Sequence, residues 1–247
     1  MIQRVLALVK MELLKVLREP ANLFLNLLFP AILTLVFGLA FGALGGADPP
    51  LFDTMAPGLF AYACIFIIMT VSMSFTDDRE NGLLKRINVT PTPSSQFIGS
   101  HIITNLFIAV IQLAIVFLLS LLMGFRPNVD VFGVIMAFIF MLFLSLCSVG
   151  LGLITATLAK SAGAATGISF IFILPQMFFG TFIPLTETTR IIGAFLPSYY
   201  VTDAITTIFA GGSPFAVGIL MQLGMIVLIS VIIVLLGIFL FKKYGKV

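Results

Sequence analysis

Residues 215–241 read FAVGILMQLGMIVLISVIIVLLGIFLF and contain no charged side chain. A helix needs about 20 apolar residues to cross the roughly 30 Å hydrocarbon core of a bilayer, so this stretch is long enough to span one. Five further stretches are also long enough to span a bilayer and lack Asp, Glu, Lys, Arg and His. They are Leu23–Leu44, Pro57–Thr76, Ile102–Gly124, Phe132–Leu158 and Ala162–Ile183. The sequence therefore predicts an all-α membrane protein with six transmembrane helices.

The composition supports this class and excludes several others. Of the 247 residues, 60% are hydrophobic and only 9% are charged, against about 25% charged residues in an average soluble domain. So few charges exclude a soluble enzyme, a nucleic-acid-binding domain and a disordered regulator. An outer-membrane barrel would alternate polar and apolar residues over strands of about ten residues, whereas the apolar runs here are unbroken. We predict one membrane domain over residues 1–247, with the bilayer as a partner and no nucleic acid.

The basic residues predict the orientation of the chain. Eleven of the thirteen Lys and Arg residues fall before the first span, after the second, after the fourth and after the sixth. Loops rich in Lys and Arg stay in the cytoplasm, so both termini are predicted to be cytoplasmic. Residues 1–20 have apolar positions at helical spacing and end at Pro20, which favours an amphipathic interfacial helix. The alternative is a plain cytoplasmic extension of the first span.

Residues 184–214 form the longest predicted external connection and are too apolar for a solvated loop. Thr186 can cap a short helix, Pro197 ends it, and a second helix can run from Ser198 to the pair Gly211 and Gly212. Irregular backbone at membrane depth is tolerated where protein buries it. We therefore expect short re-entrant helices between spans five and six, with a helix lying on the membrane surface as the alternative.

The sequence carries no pattern typical of an enzyme or an energy source. The spans lack the Asp, Glu or His that ion-driven transporters place in the bilayer. The chain also lacks the phosphate-binding pattern G-x-x-x-x-G-K-[ST] and the hydrolase patterns H-E-x-x-H and G-x-S-x-G. His101 is predicted to be an interfacial residue rather than a metal ligand. We expect no catalytic residue, cofactor or metal in this chain, and uphill transport would need a second polypeptide.

A partner of that kind needs a docking element, and residues 77–100 supply the one sizeable cytoplasmic loop, DDRENGLLKRINVTPTPSSQFIGS. The loop opens with a dense mixed-charge cluster, and two prolines, Pro91 and Pro93, end its short helical stretch. The predicted docking residues are Asp77, Asp78, Arg79, Glu80, Asn81, Gly82, Lys85 and Arg86. The alternative is an ordinary solvated loop whose basic residues satisfy the topology rule.

Two motifs resemble a known family. Arg79–Pro91, RENGLLKRINVTP, is similar to the E-R-E-x-G-T-L-x-x-L-x-x-T-P stretch of type-2 ATP-binding-cassette (ABC) export permeases. The second, Gly180–Ile205, resembles that family's G-x-x-x-P…L-P-x-x-Y-x-x-D-A signature. The residues that match the second motif are Gly180, Pro184, Leu196, Pro197, Tyr200, Asp203 and Ala204. The resemblance covers essentially the whole chain.

The resemblance implies a role for each region. The 77–95 segment would contact an ABC ATPase subunit, which would hold ATP and Mg²⁺, and a second permease subunit would complete a homodimer or heterodimer. Gly180, Pro184, Pro197, Tyr200 and Asp203 would form an external gate. The candidates for the substrate path are Asn26, Phe29, Tyr62, Gln176 and Phe179. For the path residues, packing against lipid or neighbouring helices is the alternative.

The function that the resemblance implies is that of a permease subunit in the cell membrane of a prokaryote. It would export a hydrophobic or amphipathic solute, a drug or a lipid, out of the cytoplasm or inner leaflet by alternating access. One alternative keeps this architecture and changes the cargo to a polysaccharide or lipid-linked glycan. Others are a passive channel, an ion-coupled carrier, and a membrane scaffold that only anchors an ATPase.

Overall fold

The computed structural model describes residues 2–18, 20–42, 51–83, 86, 94–182 and 191–244. The side chains at 2–4, 20–26, 94, 95 and 182 lie outside this description. Within the described part the long elements are all helical. They are α1 (Ile2–Arg18), α2 (Pro20–Phe41), α3 (Leu51–Glu80), α4 (Ser94–Leu122), α5 (Val131–Leu158), α6 (Ala162–Met177), α7 (Pro197–Phe209) and α8 (Val217–Tyr244). A π-helical turn, Phe178–Phe182, continues α6.

The helical membrane class predicted from the sequence is supported by these elements. Five helices are long and apolar enough to cross a membrane. They are Leu51–Glu80, Gln96–Leu122, Val131–Leu158, Ala162–Thr181 and Val217–Tyr244. In α2, the described side chains give a shorter apolar helix, Leu27–Phe41. The sixth span therefore stays a prediction, as does the interfacial placement of α1.

Helix α3 differs from its predicted span at both ends. It begins at Leu51, so Pro57 lies inside it, and it continues to Glu80 instead of ending near Thr76. The helix ends at a turn of Asn81 and Gly82, and Gly82 adopts a φ of 70°, a left-handed conformation that glycine reaches without steric cost. Residues 77–80 and 94–100 of the predicted 77–100 loop therefore belong to α3 and α4.

The centre of the bundle is built around α3. Nearly every residue from 56 to 68 is buried, and its Phe60 ring lies 5.7, 5.6 and 6.0 Å from the rings of Phe117, Phe125 and Phe209. These rings come from α4, the following loop and α7, so one aromatic cluster joins three segments. The contacts with Phe125 and Phe209 are edge-to-face, a geometry that adds about 0.5–1.5 kcal/mol per pair beyond area burial. Cys64 and Cys147 are buried and free.

Glycines let α3, α5 and α8 approach closely. A Cβ at Gly152 would lie 2.7 Å from Val71 Cβ and 2.9 Å from the Ile68 carbonyl oxygen. On the other face of α5, a Cβ at Gly150 would lie 2.9 Å from Val234 N. Small residues at such crossings allow the backbones to pack against one another. These close approaches at Gly152 and Gly150 therefore fix the positions of α3 and α8 against the two faces of α5.

Replacing Gly152 by Ala should destabilise the bundle, because the new methyl group meets backbone in α3 and cannot be accommodated by a side-chain rotation. The expected loss is about 1–3 kcal/mol, measured as a lower midpoint of thermal unfolding in detergent. Gly167→Ala is the matched control, since a Cβ there meets no atom within 4 Å and alanine favours helix. Equal unfolding midpoints for the two variants would contradict the packing described.

Candidate functional site

Four charged or titratable residues meet where α1, α3 and α4 come together, and we call this cluster the polar junction. Lys15 Nζ of α1 pairs with Asp78 Oδ1 of α3. His101 Nε2 of α4 lies 3.0 Å from Glu12 Oε1 of α1 and 3.2 Å from Asp78 Oδ2. Glu12 and Asp78 are 2% exposed and His101 is 1% exposed. Buried charges are costly unless they are paired, so these contacts hold the three helices in register.

Aromatic rings surround the polar junction. The Phe75 and Phe97 rings lie 4.2 and 4.5 Å from the His101 ring, centroid to centroid. Phe75 also contacts Phe241 near the end of α8, at 5.0 Å. This apolar wall keeps water away from the imidazole and strengthens every electrostatic interaction inside it. The junction therefore connects the amphipathic helix α1 to the ends of α3, α4 and α8.

The next residue, Arg79, holds a different pair of helices. Its Nη1 donates to the Ala156 carbonyl at 3.2 Å, and its Nη2 donates to the Ala159 carbonyl. These carbonyls lie at the C-terminal end of α5, where unpaired acceptors and the helix dipole favour a cation. Glu80 Oε2 accepts from the Ala162 amide, 3.4 Å away, at the first residue of α6. The last turn of α3 therefore binds both sides of the α5–α6 turn.

The predicted docking residues fall into two groups in the structure. Asp77, Asp78, Arg79 and Glu80 belong to the last turn of α3 instead of a loop, and Asp78 is directed into the polar junction. Asn81, directly after α3, and Arg86 are exposed, and Gly82 between these two residues is half-buried. Lys85 lies outside the described residues. The part of this region that a partner protein can reach thus begins near residue 80.

Sequence reasoning did not anticipate the polar junction. Glu12 is not among the predicted site residues, and His101 is predicted only to lie at the membrane–water interface. The available signal was the position of Glu12, which lies at helical spacing from Val5, Val9 and Val16 on the apolar stripe of α1. A carboxylate on an apolar stripe needs a buried partner. Which partner it meets depends on the tertiary packing of α1 and α4.

The predicted external gate residues lie around α7. Pro197 is the first residue of α7, and Tyr200 donates its hydroxyl to the Ala194 carbonyl at 2.7 Å. Asp203 Oδ2 accepts from Gln222 Nε2 of α8 at 2.6 Å. Gly180, in the π-helical turn, packs directly against Ser198. Pro184 lies outside the described residues, and the re-entrant position of α7 stays a prediction.

The predicted substrate-path residues are only partly brought together. Phe29 of α2 is 51% exposed, stacks on Phe66 at 5.0 Å, and lies 6.5 Å from the Tyr62 ring. Gln176 is buried and donates from Nε2 to the Phe172 carbonyl at 3.3 Å in its own helix. Phe179 is half-buried in the π-helical turn. The side chain of Asn26 lies outside the described residues.

Arg79→Met should destabilise the protein, because the carbonyls at the end of α5 lose a charged donor. Hydrogen bonds from charged groups contribute about 1.5–3 kcal/mol, and we expect a loss of that order in the free energy of unfolding, measured in detergent. Arg86→Met removes an exposed guanidinium from the same region and should change the stability by less than about 0.5 kcal/mol. Similar losses in both variants would show that Arg79 does not clamp α5.

Gly180→Ala should displace α7, because the added Cβ would overlap Ser198 Oγ and lie 2.9 Å from Ser198 Cβ. We expect a loss of about 1–3 kcal/mol in the free energy of unfolding. In a Ser198→Gly background both clashing atoms are gone, so the same substitution should cost much less. An identical cost in the two backgrounds would disprove the contact.

Comparison with known proteins agrees with this architecture. A family model described as "ABC-2 type transporter" matches residues 3–210. The chain is also similar to a protein of Bacillus subtilis (strain 168) named "Putative transport permease YvfS". The two are 25% identical over 150 residues, which is 60% of this chain and 61% of the relative.

The family match spans both motifs, the amphipathic helix α1 and the helices up to α7. Members of this family are transport subunits in the membrane rather than catalysts, and they generally work with an ABC ATPase. The chain accordingly belongs to the ABC-2 type transporter family of multi-pass membrane permeases.

Proposed function

We propose that this chain is the permease subunit of an ATP-driven exporter. A separate ABC ATPase would bind ATP and Mg²⁺ and dock on the segment that follows α3. One observation carries the proposal. The last turn of α3, directly before that segment, is bonded to α1, α5 and α6 and contacts α4 through His101. A displacement of the segment therefore reaches the ends of five helices.

The bonds at this turn suggest how the motion is transmitted. Arg79 and Glu80 engage the end of α5 and the start of α6, while Asp78 engages α1 and α4. Each contact joins polar groups on short, rigid helix ends, so a push moves these ends as a unit instead of bending one loop. Rigid-body motion of helices of this kind is the usual basis of alternating access in transporters.

The cargo that fits the proposal is a hydrophobic or amphipathic solute, such as a drug or lipid, leaving the cytoplasm or inner leaflet. The described chain presents an aromatic surface of Phe29, Tyr62 and Phe66 between α2 and α3. Phe29 is half-exposed on this surface, which suits contact with an apolar molecule. The six predicted spans are few for enclosing a conduit, so a second permease subunit, identical or different, would supply the facing wall.

Arg86→Glu should uncouple the ATPase from transport while leaving the protein folded, because Arg86 is exposed and lies in the docking segment. The measurement is substrate-stimulated ATP hydrolysis by the complex of this chain with its co-purified ABC ATPase in vesicles. We expect stimulation to fall by about tenfold, the effect of losing roughly 1.4 kcal/mol of contact energy. The matched control is Lys242→Glu, which reverses an exposed charge at the end of α8.

Full stimulation and transport in the Arg86→Glu complex would refute the docking assignment. A conductance recorded from the purified chain without ATP or a partner would instead favour a passive channel. If no ABC ATPase co-purifies with this chain, neither the exporter nor the alternative of a membrane scaffold that anchors an ATPase is supported.

A further inference from the structure

Three buried polar atoms of the polar junction point at one another. His101 Nε2 lies 3.0 Å from Glu12 Oε1 and 3.2 Å from Asp78 Oδ2, and one potential ligand atom of each residue lies within 4.8 Å of those of the other two. The three side chains come from α1, α3 and α4, and each is at most 2% exposed. None of the three atoms has a hydrogen-bond partner of acceptable geometry. Such a group of converging, unsatisfied atoms is unusual, because nearly all buried polar atoms in proteins are hydrogen-bonded.

Contacts among the three side chains do not give each of the buried atoms a well-aligned hydrogen bond of its own. His101 Nε2 lies within ion-pairing distance of both carboxylates, at 3.0 and 3.2 Å, so a single N–H there has to be shared between the two oxygens in a bifurcated bond. A proton on Nε2 is the competing occupant. It would balance the charges of Glu12, Asp78 and Lys15, yet it would give each of the two oxygens only a share of one donor. Neither oxygen would then have a well-aligned hydrogen bond of its own.

A metal ion would be bound by all three atoms at once, and the distances between these atoms are close to those between neighbouring ligands of a metal ion. Ligand bonds of about 2.0–2.2 Å place neighbouring donor atoms about 3.0 Å apart in octahedral geometry and about 3.3 Å apart in tetrahedral geometry. The separations of His101 Nε2 from Glu12 Oε1 and Asp78 Oδ2, 3.0 and 3.2 Å, fall in this range. We propose that Glu12, Asp78 and His101 bind a first-row transition-metal dication, with Zn²⁺ as the representative ion.

The donor set selects this class of metal. Mg²⁺ and Ca²⁺ take oxygen ligands, whereas an imidazole with two carboxylates suits Zn²⁺, Fe²⁺ or Mn²⁺. Lys15 engages Asp78 Oδ1 and leaves Oδ2 for the ion. An outer partner of this kind orients a ligand carboxylate. The aromatic wall of Phe75 and Phe97 excludes water from one side of the site.

The proposed ion would link α1 to α3 and α4 next to the proposed docking segment. Its effect would be to fix the position of the amphipathic helix, whichever solute the protein moves. The inference is independent of the proposed transport function, and its test uses binding alone.

The experiment uses the full chain in lipid nanodiscs, without a histidine tag and stripped with a chelator. Zn²⁺ is titrated in by calorimetry, with Mn²⁺ and Mg²⁺ as comparison ions. The protein has a single histidine, so ¹⁵N-histidine NMR and protection from diethyl pyrocarbonate both report on His101 alone. The variants are Glu12→Gln, Asp78→Asn and His101→Gln. The matched control is Asn105→Ala, which changes a buried residue one turn along α4.

We expect one Zn²⁺ per chain, a higher midpoint of thermal unfolding with Zn²⁺, and protection of His101 from modification. Mg²⁺ should give neither effect. Each of the three variants should weaken Zn²⁺ binding by at least about 100-fold, since even outer-sphere changes cost 10–100-fold, and Asn105→Ala should bind as the wild type does.

Two results would overturn the proposal. One is stoichiometric binding that is unchanged in the variants, which would place the ion elsewhere. The other is a His101 whose NMR signals and modification rate do not respond to Zn²⁺, which would leave a proton as the occupant. Because the second readout uses the wild-type chain, it decides the matter even if a variant does not fold.

Discussion

The last turn of α3 carries four charged residues in succession, and the position of the surrounding helices depends on how these charges are satisfied. Asp78 turns inward to Lys15 and His101, Arg79 reaches the carbonyls that end α5, and Glu80 faces the first amide of α6. In an apolar bundle, each unpaired charge would carry a large desolvation cost. Pairing them on different neighbours links helices that the hydrophobic contacts alone would leave free to slide.

This arrangement relates the fold to the proposed function. The core around Phe60 and the glycine contacts of α5 make the middle of the bundle rigid. The last turn of α3 holds α1, α4, α5 and α6 together beside the proposed docking segment. A transporter needs a stiff body and a small number of polar contacts through which a partner can move it. In this chain, those contacts are concentrated within four residues, and α1 joins them through Glu12 and Lys15.

The sequence predicted the class and most of the helices because a bilayer imposes a long, uncharged run on each span. It did not predict the end of α3, since Asp77–Glu80 has the composition of a loop and only Gly82 stops the helix. The two motifs pointed to the segment that follows α3, where we propose that the ATPase docks, and to the region around α7. They did not show that Asp78 and Arg79, adjacent in sequence, face different helices. That difference, like the meeting of Glu12 with His101, arises from tertiary packing, which hydropathy and local spacing do not encode.

A double-mutant cycle between Lys15 and Asp78 tests the central claim most directly. The free energy of unfolding is measured in detergent for the wild type, Lys15→Met, Asp78→Asn and the double variant. A partly buried pair that ties α1 to α3 should give a coupling energy of at least about 1 kcal/mol, because contacting residues are not additive. Additivity to within about 0.5 kcal/mol would mean that the pair does not hold α1 in place, and the account of the charged turn would be wrong.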